Sequence, residues 1–308
     1  MSLGHIRHYV LLDLSLLLYW QLSQRSKQPA DVELRTADAN RLDTHCVPSL
    51  VSFVGQTGAG KSTLIKLLVK FNSTTGQDAA FQTPVPGITG RDLPTSEDVH
   101  LYADPLTAGS EHPLLFADSE GLDGGEREPL AASYRKTREK EEMDSMGSES
   151  DYSATPRDYT EREVSWMDSK IKRTRQFAAG QLYPRILFAF SDVVVFVHRN
   201  PRAIEGVLER LLDWGSVAIE TTYNQPILPY AILALNATES DIDPQMWDVD
   251  ISTRLLLESL SETIDRNVTF SNYAELWRKR GKKIETVEDL MLCYYSALRV
   301  RSLRNASP

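Results

Sequence analysis

Cysteine is nearly absent from this chain of 308 residues, which has only Cys46 and Cys293. The two lie far apart in sequence and belong to no C-x-x-C or metal-ligand pattern. The sequence therefore predicts neither a disulfide framework nor a zinc site. A chain with so few cysteines suits a reducing compartment, and we expect it to be cytoplasmic.

An excess of basic residues is also missing. The chain has 34 Lys and Arg against 43 Asp and Glu, which gives a net charge of −9. Proteins that bind nucleic acid rely on basic surfaces to attract the phosphate backbone. We therefore expect no nucleic-acid partner.

No apolar run reaches the roughly 20 residues that a membrane-spanning helix needs. The most apolar candidate, YVLLDLSLLLYWQL at residues 9–22, has 14 residues and includes Asp13. It predicts a helix that packs on the domain or on a partner, and we do not expect membrane contact. This helix and a polar linker make up residues 1–46, and a single domain is predicted over 47–304.

The most specific motif is a glycine-rich loop at residues 55–62, which reads GQTGAGKS and matches G-x-x-x-x-G-K-[ST]. An apolar run at 50–54, typical of a buried strand, precedes it. A helical pattern from Leu64 to Phe71 follows, with Leu67 predicted on its apolar face. Loops of this kind, called P-loops, bind the phosphates of a nucleoside triphosphate through backbone N–H groups.

The chemistry of this motif assigns roles to its residues. Lys61 is expected to reach the β- and γ-phosphates from an exposed loop, as a catalytic residue, and Ser62 to hold Mg²⁺ through its hydroxyl. The predicted nucleotide-binding residues of the loop are Gly55, Gln56, Thr57, Gly58, Ala59, Gly60, Lys61, Ser62 and Thr63.

A second motif, D-x-x-G, follows the apolar run at 114–117. Its Asp118 is predicted to hold Mg²⁺ through water, and the N–H of Gly121 to bond the γ-phosphate. GTPases also place a threonine on Mg²⁺ from the loop before the second strand. Thr95 is the favoured candidate and Thr89 nearly equals it. Thr83 is a third candidate for this threonine.

A third motif candidate is Asn236 to Glu239, which reads NATE after an apolar run. It stands where N-K-x-D reads guanine, with Ala237 in place of the lysine. Asn236 is predicted to bond the N7/O6 side of the purine, and the Glu239 carboxylate to accept from N1 and the exocyclic amine. The pattern favours guanine over adenine. The triplet at 296–298, Ser-Ala-Leu, is only superficially like the usual fifth guanine-contact loop.

Apolar runs alternating with helical patterns predict the fold. We expect a three-layer α/β P-loop domain, with a mostly parallel sheet and helices on both faces. Further strands are predicted at 98–103, 114–117, 193–197 and 230–235, and a fragment of a last strand at 298–300. Helices are predicted at 203–220, 252–264 and 287–297. A charged stretch with few apolar residues, 133–162, predicts a disordered insertion.

Over residues 49–240 the three motifs resemble a TRAFAC-type GTPase domain. The sequence DSEGL at 118–122 is most similar to the guanylate-binding protein, atlastin and dynamin-like group, and FSDVVVFV and ILPYAILALNATE also resemble fungal G-domain proteins. The resemblance implies that GTP and Mg²⁺ bind and that GTP is hydrolysed to GDP. We also expect a homodimer through the nucleotide face.

The chain departs from these relatives at two positions. Gly58 stands where guanylate-binding proteins carry an arginine finger, and Leu122 follows Gly121 where a glutamine would orient water. Two alternatives therefore stay open. One is an ATPase with Asp118 or Glu120 as its acidic pair, although the sequence has no L-S-G-G-Q signature. The other is a pseudo-GTPase that acts as an interaction scaffold.

Overall fold

The computed structural model describes residues 47–73, 81–84, 98–122, 169–172, 174–200, 203–221, 227–238 and 244–304. The predicted N-terminal helix and the insertion at 133–162 lie outside these residues. Six strands and eight α-helices are described: β1 (Ser49–Gly55), α1 (Lys61–Asn72), β2 (Val99–Ala103), β3 (Leu114–Ser119), α2 (Arg175–Phe177), α3 (Tyr183–Phe190), β4 (Val193–His198), α4 (Ile204–Thr221), β5 (Tyr230–Thr238), α5 (Val249–Ser259), α6 (Thr263–Arg266), α7 (Val268–Lys279), α8 (Val287–Met291) and β6 (Ala297–Arg304). A π-helical turn, Ala178–Leu182, joins α2 to α3.

The strands form one sheet in the order β2-β3-β1-β4-β5-β6. Every neighbouring pair is parallel except β2 and β3, which run antiparallel. The predicted α/β class with a mostly parallel sheet is therefore confirmed. Within the described part of the chain, no helix has both the length and the apolar character to cross a membrane.

Both faces of the sheet are covered, which explains the continuous apolar sequence of β4. All six of its residues are buried. Val193 and Val195 pack into the core on the side of α1, whereas Val194 and Phe196 pack into the core formed with α3, α4 and the C-terminal helices. The Phe196 ring stacks on Trp214 of α4, with 5.8 Å between centroids.

The apolar face of α1 differs from the prediction at one residue. Leu67 was expected on this face, but it is 41% exposed. The buried face instead follows the pattern i, i+1, i+4, i+5, which at 3.6 residues per turn makes a stripe that excludes position 67. Its apolar members are Leu64, Ile65, Leu68 and Val69.

The C-terminal predictions needed the largest corrections. The helix predicted at 252–264 is two helices, α5 and α6, because the chain turns at the buried Leu260. The helix predicted at 287–297 ends at Met291, and the sixth strand, predicted as a fragment, is eight residues long. Helix α7 was not predicted, although Asn267 caps it by accepting from the Thr269 N–H at 2.9 Å.

Candidate functional site

The predicted motifs meet at one edge of the sheet, where the parallel strands end. The P-loop connects the carboxyl end of β1 to α1, and D-x-x-G leaves the carboxyl end of β3. Because β1 pairs with β3 on one side and with β4 on the other, the strand order reverses here. Such a switch point opens the crevice in which open α/β sheets bind ligands.

The backbone of the P-loop requires glycine at two positions. Gly55 has φ +141°, and a Cβ there would lie 2.1 Å from the carbonyl oxygen of Val197 in β4. Gly60 has φ +100°, and its Cβ would lie 2.3 Å from the Asn236 side-chain nitrogen. No L side chain fits either place without displacing its neighbour. The loop is therefore a cradle formed by backbone in close contact with β4 and β5.

Lys61 is the first residue of α1, and only 6% of it is exposed. Its Nζ donates to the carbonyl oxygens of Gly55 and Gln56, both at 3.0 Å. Lys61 was expected on an exposed loop, but its side chain folds back onto the loop instead of extending into solvent, and it is buried. The ammonium is thus held against the backbone that a triphosphate would contact.

Ser62 and Asp118 lie in direct contact. The Ser62 hydroxyl donates to Asp118 Oδ2 at 2.7 Å, and the aspartate is fully buried. A hydroxyl and a carboxylate provide the hard oxygen atoms that Mg²⁺ prefers, directly or through water. The structure therefore brings together the two residues that separate motifs nominated for Mg²⁺, and their chemistry fits that ion.

The D-x-x-G loop packs tightly on the P-loop. The Leu122 N–H donates to the Gly55 carbonyl at 3.1 Å. A Cβ at Gly121 would lie 2.2 Å from Thr57 Oγ1 and 2.5 Å from Thr57 Cα, so only glycine fits there. The buried Thr57 hydroxyl has no hydrogen-bond partner among the described residues. A buried polar atom of this kind beside a glycine cradle fits a polar ligand such as a phosphate.

Asn236 lies on β5, and its side-chain nitrogen donates to the Ala59 carbonyl at 2.7 Å. The third motif is thereby joined to the P-loop. Thr63 is exposed on the first turn of α1, and Thr83 is half-buried. The other predicted site residues, Thr89, Thr95 and Glu239, lie outside the described residues.

The Ser-Ala-Leu triplet at 296–298 lies at the wrong edge of the sheet for a base contact. The Ser296 N–H donates to the Pro229 carbonyl at 3.0 Å, next to the amino end of β5. Nucleotides bind at the carboxyl ends of the strands, so this triplet is not the fifth guanine-contact loop.

Four residues beside the D-x-x-G loop were not predicted to act together. Arg175 Nε and Nη2 both donate to Glu120 Oε2 at 3.0 Å, and the Tyr183 hydroxyl donates to Asp98 Oδ1 at 2.8 Å. Burial and the bond to Asp98 raise the pKa of Tyr183, so its hydroxyl stays a donor. No spacing signal announces either contact, since 55 and 85 residues separate the partners.

No protein-family model and no curated protein matches the chain. One similar solved structure is the signal recognition particle receptor SRb-GTP/SRX complex from Chaetomium thermophilum, at 13% identity over 84% of this chain and 91% of that one, with a TM-score of 0.29. Another is the S. cerevisiae Ski7 GTPase-like domain bound to GTP, at 14% identity over 74% and 42%, with a TM-score of 0.28. Similarity at this level carries no functional argument, so function rests on the site itself.

Proposed function

We propose that this chain binds GTP together with Mg²⁺ and hydrolyses it to GDP and phosphate. The observation that carries the proposal is the contact of 2.7 Å between Ser62 and Asp118 at the mouth of the P-loop. A P-loop serine beside the D-x-x-G aspartate is the arrangement that holds Mg²⁺ in P-loop NTPases. It supports a working triphosphate site over a chance glycine turn.

Each side chain of the site has a separate role in this proposal. Lys61 neutralises charge on the β- and γ-phosphates, and the Thr57 hydroxyl and the P-loop N–H groups donate to phosphate oxygens. Ser62 and Asp118 would hold Mg²⁺, which would supply positive charge to the phosphates. Gly121 lies against Thr57 of the P-loop, and its backbone N–H donates to the γ-phosphate when GTP is bound.

Hydrolysis is proposed to be slow. The position where an arginine finger would stand is Gly58, and Leu122 cannot orient water as a glutamine does. An arginine finger accelerates GTP hydrolysis by about 10³- to 10⁵-fold. Without an arginine finger at this position, the chain is expected to stay bound to GTP, as a switch does, and not to turn GTP over rapidly.

Guanine is the base that the site favours. The contact of Asn236 with Ala59 fixes the third motif against the P-loop, as base recognition requires. Glu239 then follows in sequence as the acceptor for the guanine N1 and amino groups. The ATPase alternative needs a second acidic residue at the site, but Glu120 binds Arg175 instead.

Replacing Ser62 by alanine tests the proposed Mg²⁺ site. Hydrogen bonds to charged groups contribute about 1.5–3 kcal/mol, so we expect roughly 10- to 150-fold weaker GTP binding in Mg²⁺. Binding in EDTA should stay nearly unchanged, because the phosphates contact other groups. Titration of a fluorescent GTP analogue measures both.

Ser259→Ala is the matched control, since it removes an exposed serine hydroxyl from the end of α5, where no site residue is predicted. It should bind as the wild type does in both conditions. Equal losses for Ser62→Ala in Mg²⁺ and in EDTA would contradict a metal role for Ser62.

A further inference from the structure

The D-x-x-G loop is tied to two other parts of the chain by a polar cluster, which we define as Asp98, Glu120, Arg175 and Tyr183. Asp98 precedes β2, Glu120 lies within the D-x-x-G loop, and Arg175 and Tyr183 begin α2 and α3. None of these residues has a part in the proposed nucleotide contacts.

The ion pair between Glu120 and Arg175 is the strongest contact of this cluster. Glu120 is completely buried, and a buried carboxylate is stable only when it is paired and hydrogen-bonded. Arg175 pairs with this carboxylate through two N–H groups that donate to one of its oxygens, Oε2, while 27% of the Arg175 side chain stays exposed. The conformation of the loop at Glu120 therefore depends on the position of Arg175.

Asp98 connects the same loop to the chain before β2. Its carbonyl oxygen accepts from the Glu120 N–H at 2.9 Å, and its carboxylate accepts from the Tyr183 hydroxyl. Asp98 has φ +58°, a left-handed conformation that is uncommon for a residue other than glycine. Its hydrogen bonds offset the cost of this conformation, so α3, β2 and the D-x-x-G loop are held in one arrangement.

The loop that this cluster holds is the one that touches the P-loop. Glu120 is followed directly by Gly121, which lies against Thr57, and by Leu122, which bonds to Gly55. A shift of the Glu120 backbone must therefore move these two contacts.

We infer that Arg175 is a positioning residue, which holds the D-x-x-G loop on the P-loop through Glu120 and so sets how strongly the site distinguishes GTP from GDP. The part that concerns nucleotides rests on the proposed function. Arg175 acts through Glu120 without touching the ligand, and the Tyr183 bond to Asp98 supports the same arrangement.

Arg175→Ala tests this inference against a matched control. Arg185 also forms an ion pair of 3.0 Å between side chains, with Asp213 of α4, and is 26% exposed, but it does not belong to the cluster. Amide hydrogen exchange at Leu122, measured without nucleotide, reports the contact with Gly55. Affinities for GTP and GDP report discrimination.

For Arg175→Ala we expect roughly tenfold faster exchange at Leu122 and a roughly tenfold lower ratio of GTP to GDP affinity, in the range of coupling between linked sites. GDP affinity should stay within about threefold of wild type, a difference under 0.7 kcal/mol. Arg175→Lys keeps the charge, so its exchange rate at Leu122 and its ratio of GTP to GDP affinity should lie between those of Arg175→Ala and those of wild type. Arg185→Ala should change neither.

The inference is wrong if Arg175→Ala and Arg185→Ala have the same exchange rate at Leu122 and the same nucleotide affinities. It is also wrong if Arg175→Ala weakens GTP and GDP binding equally. Should the single variant fail to fold, the pair Glu120→Gln with Arg175→Gln removes both charges and is expected to give the same two effects. A wild type that binds no nucleotide would overturn the proposed function, and the exchange measurement would still decide the role of Arg175.

Discussion

Replacing Lys61 by alanine is expected to abolish measurable GTP binding. The variant removes the one P-loop side chain that carries a positive charge to the phosphates, and charged hydrogen bonds of this kind contribute about 1.5–3 kcal/mol each. Loss of two such bonds weakens binding by on the order of 10²-fold or more. Equilibrium titration with a fluorescent GTP analogue measures the effect.

The fold should survive this substitution. The Gly55 carbonyl keeps the Leu122 N–H as a donor when the Lys61 ammonium is removed. We therefore expect a loss of about 1 kcal/mol in the free energy of unfolding, measured by urea denaturation. Lys70→Ala, on the exposed last turn of the same helix, is the control and should bind GTP normally. A folded Lys61→Ala protein that binds GTP within threefold of wild type would contradict the P-loop assignment.

Alanine at Gly55 is expected to be the most destabilising single change in the P-loop. Its Cβ would lie 2.1 Å from the Val197 carbonyl oxygen, which belongs to the backbone of a central strand and cannot rotate away. Gly55 also has φ +141°, a conformation that side chains rarely adopt. Overpacking costs about 1–3 kcal/mol and backbone strain a similar amount, so we expect a loss of roughly 3 kcal/mol or more in the free energy of unfolding.

Gly58→Ala separates strain from steric overlap. Gly58 has φ +73°, but within the described residues a Cβ there would meet no atom closer than 4 Å. Strain alone predicts a loss of about 1–2 kcal/mol in unfolding free energy. If urea denaturation shows Gly55→Ala to be no less stable than Gly58→Ala, the close approach of the P-loop to β4 is wrong.

The central strands and the phosphate-binding motifs could be predicted from local sequence patterns. The central strands are apolar runs because both sheet faces are covered, and the P-loop and D-x-x-G follow from short spacings tied to phosphate chemistry. Both motifs predicted a residue on the same ion, and the structure places these residues, Ser62 and Asp118, in contact. Their binding of Mg²⁺ stays a prediction. The proposed base contact at Glu239 and the choice between Thr89 and Thr95 stay predictions.

Features that depend on tertiary packing were not predictable from these patterns. Lys61 was expected on an exposed loop, but its side chain lies buried against that loop. The pairing of Glu120 with Arg175 joins residues that no motif links. In the C-terminal part, the start of α8 could be predicted, because Thr286 and Asp289 form a capping box there. The apolar and aromatic residues after Met291, LCYY at 292–295, hid the end of the helix.

We propose that the P-loop of this chain binds GTP with Mg²⁺. The most direct measurement is a calorimetric titration of the full chain with GTP, repeated with ATP and again in EDTA. We expect saturable binding of one GTP per chain, tighter in Mg²⁺ than in EDTA, and weaker binding of ATP. Binding of ATP at least as tight as that of GTP, or no binding of either nucleotide at millimolar concentration, would contradict this proposal.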